Sequence, residues 1–192
     1  MENASTESAA NTDPFANPFT DAILRASKVK LMIFDVDGIL TDGTLHFAPD
    51  GEVLKTFNVL DGHGIKLLQQ FGVATAIISA RQSQIVTRRA SDLGIAHVYQ
   101  GVHDKRTAFE QLLSATNFQL DACGFIGDDV IDLPILTRVG FAASVPNGHE
   151  EVTQRVHYLT KASGGRGAAR EVCDFILRAQ GKYESALAQY LE

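Results

Sequence analysis

The sequence has no tryptophan, two methionines and two cysteines. Cys123 and Cys173 lie in apolar surroundings, in neither a CxxC pair nor a metal-ligand spacing. That excludes a disulfide framework and a thiolate metal site, and each reads as a small buried thiol. Positive charge is also short, with 17 Lys and Arg against 23 Asp and Glu and a formal net charge of −6. General nucleic-acid binding relies on clustered cations that displace counterions, so no nucleic-acid partner is expected. No apolar run approaches the roughly 18 residues of a membrane helix, so no membrane role is expected either. The first 20 or so residues lack the basic and apolar regions of a signal peptide, and they carry too few large apolar side chains to bury a surface. Residues 1–21 are therefore expected to form a disordered tail, 22–180 one domain and 181–192 a C-terminal tail, in a cytoplasmic protein.

What is present is a rhythm. Leu31-Met32-Ile33-Phe34 is an apolar run ending at Asp35, and residues 73–78 form another ending at Ser79. Shorter runs follow at 97–99, 124–126 and 141–143. Between them, Ile65, Leu68 and Phe71, then Ile85 and Leu93, Phe109 and Leu112, and Leu133 and Leu136 recur at helical spacing. Continuous apolar strands alternating with helices predict a doubly wound α/β domain, its parallel sheet covered on both faces. Residues 44–57 break the rhythm. They alternate apolar and polar positions around Pro49-Asp50-Gly51, which predicts a β-hairpin inserted after the first strand. An isolated hairpin is marginal in water, so it is expected to pack on something, such as another subunit.

In parallel α/β sheets ligands bind beyond the carboxyl ends of the strands. Asp35-Val36-Asp37-Gly38, Ser79 and Gly127-Asp128-Asp129 all stand at such ends, and Lys105 opens a helix after the third strand. Four carboxylates converging on one crevice require a compensating cation, and hard oxygen ligands suit Mg²⁺. The cation also explains how an acidic site can receive an anionic phosphate. On extended backbone Asp35 and Asp37 face the same way. One can attack phosphorus to give an aspartyl-phosphate, while its neighbour protonates the leaving oxygen and then activates water. Ser79 and Lys105 offer a hydroxyl and a cation to the transferring phosphoryl group. Single aspartates after strands usually only cap helices; the ordered set is what points to chemistry. His46, His97, His103, His149 and His157 have no ligand spacing and read as turn or surface residues, and Arg88 as part of a solvated helix face.

The stretch from Asp35 to Asp42, then Ser79, Lys105 and Gly127-Asp128-Asp129, resembles the four ordered motifs of the haloacid-dehalogenase-like phosphohydrolases. The resemblance implies Asp35 as nucleophile and Asp37 as general acid/base. It implies Mg²⁺ held by Asp35, Asp37 (through its backbone carbonyl) and Asp128, with Asp129 behind them. A narrower resemblance, from about Lys30 to Tyr183, rests on Thr41-Asp42-Gly43, on residues 57–66 and on residues 164–168. It points to the branch that removes phosphate from an eight-carbon sugar acid on the way to lipopolysaccharide. There Asn58, Asp61, Gly62, Arg81 and Arg89 would touch the small sugar-acid phosphate together with Asp37 and Lys105, the arginines suiting its carboxylate. Ala80 replaces a usual glycine, and Leu60 stands where many relatives carry arginine.

The 44 positions from Asp35 to Ser79 and the 23 from Lys105 to Asp128 leave no room for an inserted cap domain. The expected fold is therefore capless, with a neighbouring subunit as the lid and, by resemblance, a homotetramer built through the hairpins. Three other readings stand beside this one. A phosphatase for a nine-carbon sugar-acid phosphate would use the same motifs. An assembly module that had lost catalysis would be expected to lose acidic motif residues that are retained here. A response-regulator receiver would place its acidic pair first, whereas here the pair comes last.

Overall fold

A computed structural model of the chain describes residues 17–191. Six parallel strands form the central sheet in the order β5-β4-β1-β6-β7-β8: β1 (Leu31–Phe34), β4 (Ala74–Ile78), β5 (His97–Tyr99), β6 (Cys123–Ile126), β7 (Phe141–Ser144) and β8 (Tyr158–Leu159). A separate antiparallel pair, β2 (His46–Ala48) and β3 (Gly51–Leu54), is the expected hairpin. Its turn ends at Gly51, whose φ of 130° is open only to glycine. The helices are α1 (Pro18–Ala26), α2 (Val59–Gln70), α3 (Gln84–Leu93), α4 (Lys105–Thr116), α5 (Leu133–Leu136), α6 (Glu150–Thr153), α7 (Ala168–Ala179) and α8 (Tyr183–Ala188).

Both sheet faces are covered, as the unbroken apolar strands require. Alternate residues of β1 enter opposite cores. Met32 and Phe34 pack with Ile65, Leu68, Ala90, Val172 and Ile176 of α2, α3 and α7. Leu31 and Ile33 pack with Phe109, Leu112, Ile135 and Val152 of α4, α5 and α6. Among the described residues no cap domain interrupts the fold: only the hairpin and α2 separate β1 from β4.

Strand order reverses at β1, which pairs with β4 on one side and β6 on the other. Phe34 is level with Ile77 and Ile126. That register carries Asp35, Ser79 and Asp128 past the same sheet edge, at the switch point where doubly wound folds bind ligands.

Two boundaries differ from the sequence expectation. Helix α1 begins at Pro18, inside the stretch assigned to the N-terminal tail. The Asn17 side chain caps it by accepting the Phe19 N–H, proline occupies its first turn, Ala22 and Ala26 are buried, and Phe19 packs edge-on against Phe175 at 5.9 Å. The rest of that expected tail, residues 1–16, lies outside the described residues. Toward the other end, α8 occupies what was read as C-terminal tail, burying Ala186 and placing Tyr183 under the Arg178 guanidinium. Both cysteines are free and buried, as expected. No helix among the described residues is long and apolar enough to cross a membrane.

Candidate active site

A crevice of about 250 Å³ opens at the carboxyl end of β1, lined by Asp35, Asp37, Ser79, Arg81, Lys105, Asp128 and Asp129. The backbone after β1 turns sharply, with the N–H groups of Ile39, Leu40 and Thr41 all donating to the Val36 carbonyl. Gly38, at φ 95°, lies so close to the Asp128 carboxylate that a Cβ there would collide with it. Lys105 is the first residue of α4, held at the crevice by the Asp104 cap, whose side chain accepts the Arg106 N–H. Ser79 is buried, and its Oγ accepts the Arg81 N–H at 3.4 Å.

The centre of the site is a buried cluster of like charge. Asp35, Asp128 and Asp132 can each place one carboxylate oxygen within 4.8 Å of the others. One cation answers them: Lys105 Nζ lies 2.9 Å from Asp35 Oδ1 and also bonds Asp132 Oδ1. Burial first, and then the charge of Asp132, pushes Asp35 up to about 8 against the pull of Lys105. The same two causes push Asp128 up to about 7. Burial alone would lower the Lys105 ammonium, but Asp35 and Asp132 hold it above its ordinary value. With all three carboxylates ionised, the one ammonium would leave two negative charges uncompensated. In addition, Asp128 Oδ1 is buried without a hydrogen-bond partner. An orphaned carboxylate oxygen in an over-acidic pocket of hard donors fits a divalent cation.

The cluster adds a residue to those the sequence singled out. Asp132 belongs to it and was missed. Its Oδ2 accepts the N–H groups of Asp128 and Asp129 at 3.0 and 3.1 Å, and its side chain is fully buried. The Asp37 side chain does not belong to it. Its Oδ1 bonds Lys55, and its Oδ2 lies 3.9 Å from Arg81 Nε. Asp129 lies at the rim, capping the turn that follows by accepting the Val130 N–H. Lys55 was also missed. Its side chain is buried between Asp37 and Glu52, with Glu52 Oε1 at 3.1 Å.

The remaining residues implied by the resemblance gather elsewhere. Asn58, Asp61, Gly62 and Arg89 line a separate narrow cleft with Phe57 and Leu93. Arg89 donates to the Asn58 carbonyl at 3.3 Å, and Gly62 leaves room for its guanidinium. Asp61 is buried and accepts the N–H groups of Arg170 (2.8 Å) and Gly167 (3.3 Å). Burial raises its carboxyl against those hydrogen bonds. Of the expected sugar contacts, only Arg81 stands at the crevice with Asp37 and Lys105; its guanidinium lies over the Phe47 ring at 5.4 Å. Two of the histidines hold backbone: His149 caps α6, and His157 Nδ1 accepts the Ala142 N–H.

A capless doubly wound sheet with this acidic crevice at its switch point places the chain in a known class. It belongs to the haloacid dehalogenase-like hydrolases, whose family pattern matches residues 68–171. Within that class it is 45% identical to the 3-deoxy-D-manno-octulosonate 8-phosphate phosphatase KdsC of Yersinia pestis, over 86% of this chain and 89% of that one. The solved structure of a probable YrbI-family phosphatase from Pseudomonas syringae superposes with a TM-score of 0.88 at 49% identity, covering 90% of this chain and 98% of that one. A 3-deoxy-D-manno-octulosonate 8-phosphate phosphatase from Moraxella catarrhalis, solved with a magnesium ion, a phosphate ion and KDO, superposes with a TM-score of 0.86. It is 42% identical, covering 88% of this chain and 98% of that one.

Proposed function

We propose that the chain is a Mg²⁺-dependent phosphatase that hydrolyses 3-deoxy-D-manno-octulosonate 8-phosphate to the free sugar acid and inorganic phosphate, supplying a lipopolysaccharide precursor. The observation that carries this reading is the meeting of Asp35, Asp37, Lys105 and the orphaned Asp128 oxygen in one crevice, in a chain whose relatives are phosphatases for that ester. Asp35, Asp128 and the Asp37 carbonyl would hold the ion, with Asp132 and Asp129 behind them. When bound, the ion neutralises the carboxylates and draws charge from the phosphoryl oxygens.

The chain's own groups account for the rest. A carboxylate oxygen of Asp35 forms a bond to phosphorus while the phosphorus–ester oxygen bond breaks. Asp37 gives its proton to the departing alkoxide, producing the sugar alcohol and an aspartyl-phosphate. Asp37, now a carboxylate, takes a proton from water as that water attacks phosphorus and the bond to Asp35 breaks, releasing phosphate and restoring both residues. Lys105 and Ser79 hold the phosphoryl oxygens throughout. Arg81, exposed at the rim, pairs with the sugar's carboxylate.

A homotetramer completes the site in this reading. The hairpin exposes Phe47, Val53 and Leu54, and the start of α2 exposes Val59 and Leu60, surface that a neighbouring copy covers while it closes the crevice and brings Asn58 and Arg89 to it. An anionic sugar phosphate does not cross membranes unaided, so the enzyme acts where the ester is made, in the cytoplasm. The exposed Leu60 offers no charge to a carboxylate, and this keeps a nine-carbon sugar-acid phosphate as the second reading.

The test is phosphate release from a panel of sugar phosphates with Mg²⁺, wild type beside Asp35→Asn. Preference for the eight-carbon acid phosphate, with at least about 10³-fold loss in the variant, is the expected result. Preference for the nine-carbon ester moves the substrate to the second reading. Release that survives Asp35→Asn removes the aspartyl-phosphate.

A further inference from the structure

We propose that Lys55 is a positioning residue for Asp37, and that the hairpin exists in part to deliver it. The inference rests on the reading of Asp37 as the acid and base. Lys55 directly follows β3, yet its side chain is only 1% exposed. A lysine is almost never buried to that degree unless it is paired, and here it is paired twice, to Asp37 Oδ1 and to Glu52 Oε1. Glu52 is anchored in turn. Its Oε2 accepts the hydroxyl of Ser83, whose Oγ also caps α3 by accepting the Val86 N–H. Burial would raise the Glu52 carboxyl, but the hydrogen bonds from Ser83 and Lys55 hold it below its ordinary value, so it stays anionic beside the ammonium. A continuous relay therefore runs from the start of α3 through Ser83, Glu52 and Lys55 to Asp37.

The relay has a chemical consequence. Asp37 follows β1 in a turn, and its side chain is one-fifth exposed. With Oδ1 bound by Lys55, the oxygen left for proton traffic is Oδ2, on the side of Arg81. Rotating Asp37 away would cost the buried ammonium one of its two partners, so the carboxylate is held in one orientation. The same ammonium stabilises the charge that develops on Asp37 as its proton leaves for the alkoxide. Fixing the hairpin alone needs no charge, because an apolar side chain of similar length buries more cheaply. The cation is explained by what it faces.

Lys55→Met keeps the stem and removes the ammonium. The experiment compares kcat and KM, with Mg²⁺, on two esters: the primary alkyl phosphate that wild type turns over fastest, and p-nitrophenyl phosphate, whose leaving group needs little protonation. Single-turnover release of p-nitrophenol isolates the first step. Lys55→Met is expected to lose about 10- to 100-fold in kcat on the alkyl ester with little change in KM. Its p-nitrophenol release should fall at least tenfold less than that, and Lys55→Arg should recover most of the loss. Equal losses on the two esters, a change in KM alone, or no loss overturns the proposal. Asp37→Asn is run beside it. If Asp37→Asn discriminates between the esters and Lys55→Met does not, only the positioning role fails. If Asp37→Asn does not discriminate, the acid/base reading fails. Circular dichroism checks the fold. Should Lys55→Met fail to fold, Glu52→Gln, which keeps an acceptor for Ser83, must show the same selective loss at a smaller factor or the proposal is overturned.

Discussion

Asp132 shows how one carboxylate sets the behaviour of its neighbours. Both of its oxygens are committed, one to Lys105 and the other to two backbone N–H groups. It therefore acts on Asp35 and Asp128 chiefly by repulsion, and with burial it lifts them to about 8 and about 7. In the metal-free protein both hold protons near neutrality, and an incoming cation must displace them. The sign follows from the direction of the shifts. A carboxyl raised in the folded state contributes stability that is full below its ordinary value of about 4 and is lost as pH climbs through the raised one. The melting temperature of metal-free protein should thus fall between about pH 4 and pH 8. The increment given by Mg²⁺ should grow over the same range and should shrink sharply in Asp128→Asn. Differential scanning calorimetry at several pH values checks this, and an increment that stays flat with pH contradicts it. Asp35, Asp37, Ser79, Lys105 and Asp128 were legible because each closes an apolar run or opens a helix. Asp132 was not, because only the tight turn after Asp129 brings a residue four positions past Asp128 back beneath it. Its one sequence signal was a third aspartate following Gly127-Asp128-Asp129.

Helix α7 depends on a residue far away in sequence. Its first residue follows Gly167, which has no side chain with which to cap the exposed N–H groups. Asp61 of α2 supplies the missing acceptor, with one oxygen to the Arg170 N–H and the other to the Gly167 N–H. A negative charge at a helix N-terminus also opposes the helix dipole favourably. Asp61→Ala should lower the unfolding free energy by about 1–3 kcal/mol in urea titrations, with Asp61→Asn losing less because its amide oxygen still accepts. An unchanged midpoint would show that α7 does not rely on this cap. Strands β1 and β4 to β7 and helices α2 to α5 were readable because their apolar spacing is set by the cores they face. Helix α1, α8 and the two-residue β8 escaped for the opposite reason. Each owes its place to a few tertiary contacts, such as Phe19 on Phe175 or Tyr183 beneath Arg178, and not to a periodicity of its own. Asp61, singled out by resemblance as a substrate contact, also holds two helices together, which its place in the sequence did not show.

The sheet is buried on both faces, but the hairpin and the start of α2 leave large apolar side chains open. Phe47 and Val53 are each more than half exposed, Leu54 is half exposed, and Val59 is four-fifths exposed at the start of α2. Large apolar side chains exposed on a two-stranded ribbon are what the proposed interface between copies would cover, since an isolated ribbon is marginal in water. Catalysis asks for the same closure. With no cap domain, the acidic crevice opens to solvent, and the attraction of Lys105 and a bound cation for the phosphoryl oxygens weakens in water. A neighbouring copy seated on the hairpins would cover the apolar side chains and exclude solvent from the crevice together. For the homotetramer proposed above, sedimentation equilibrium should give a species of about four times the 20.8 kDa chain mass. The double variant Val53→Glu, Val59→Glu should dissociate it. Specific activity should then fall with the loss of assembly, at an unchanged far-ultraviolet circular dichroism spectrum. A stable monomer retaining full activity would show that the single chain closes its own site, and that the hairpin serves the chemistry of Asp37 without serving assembly.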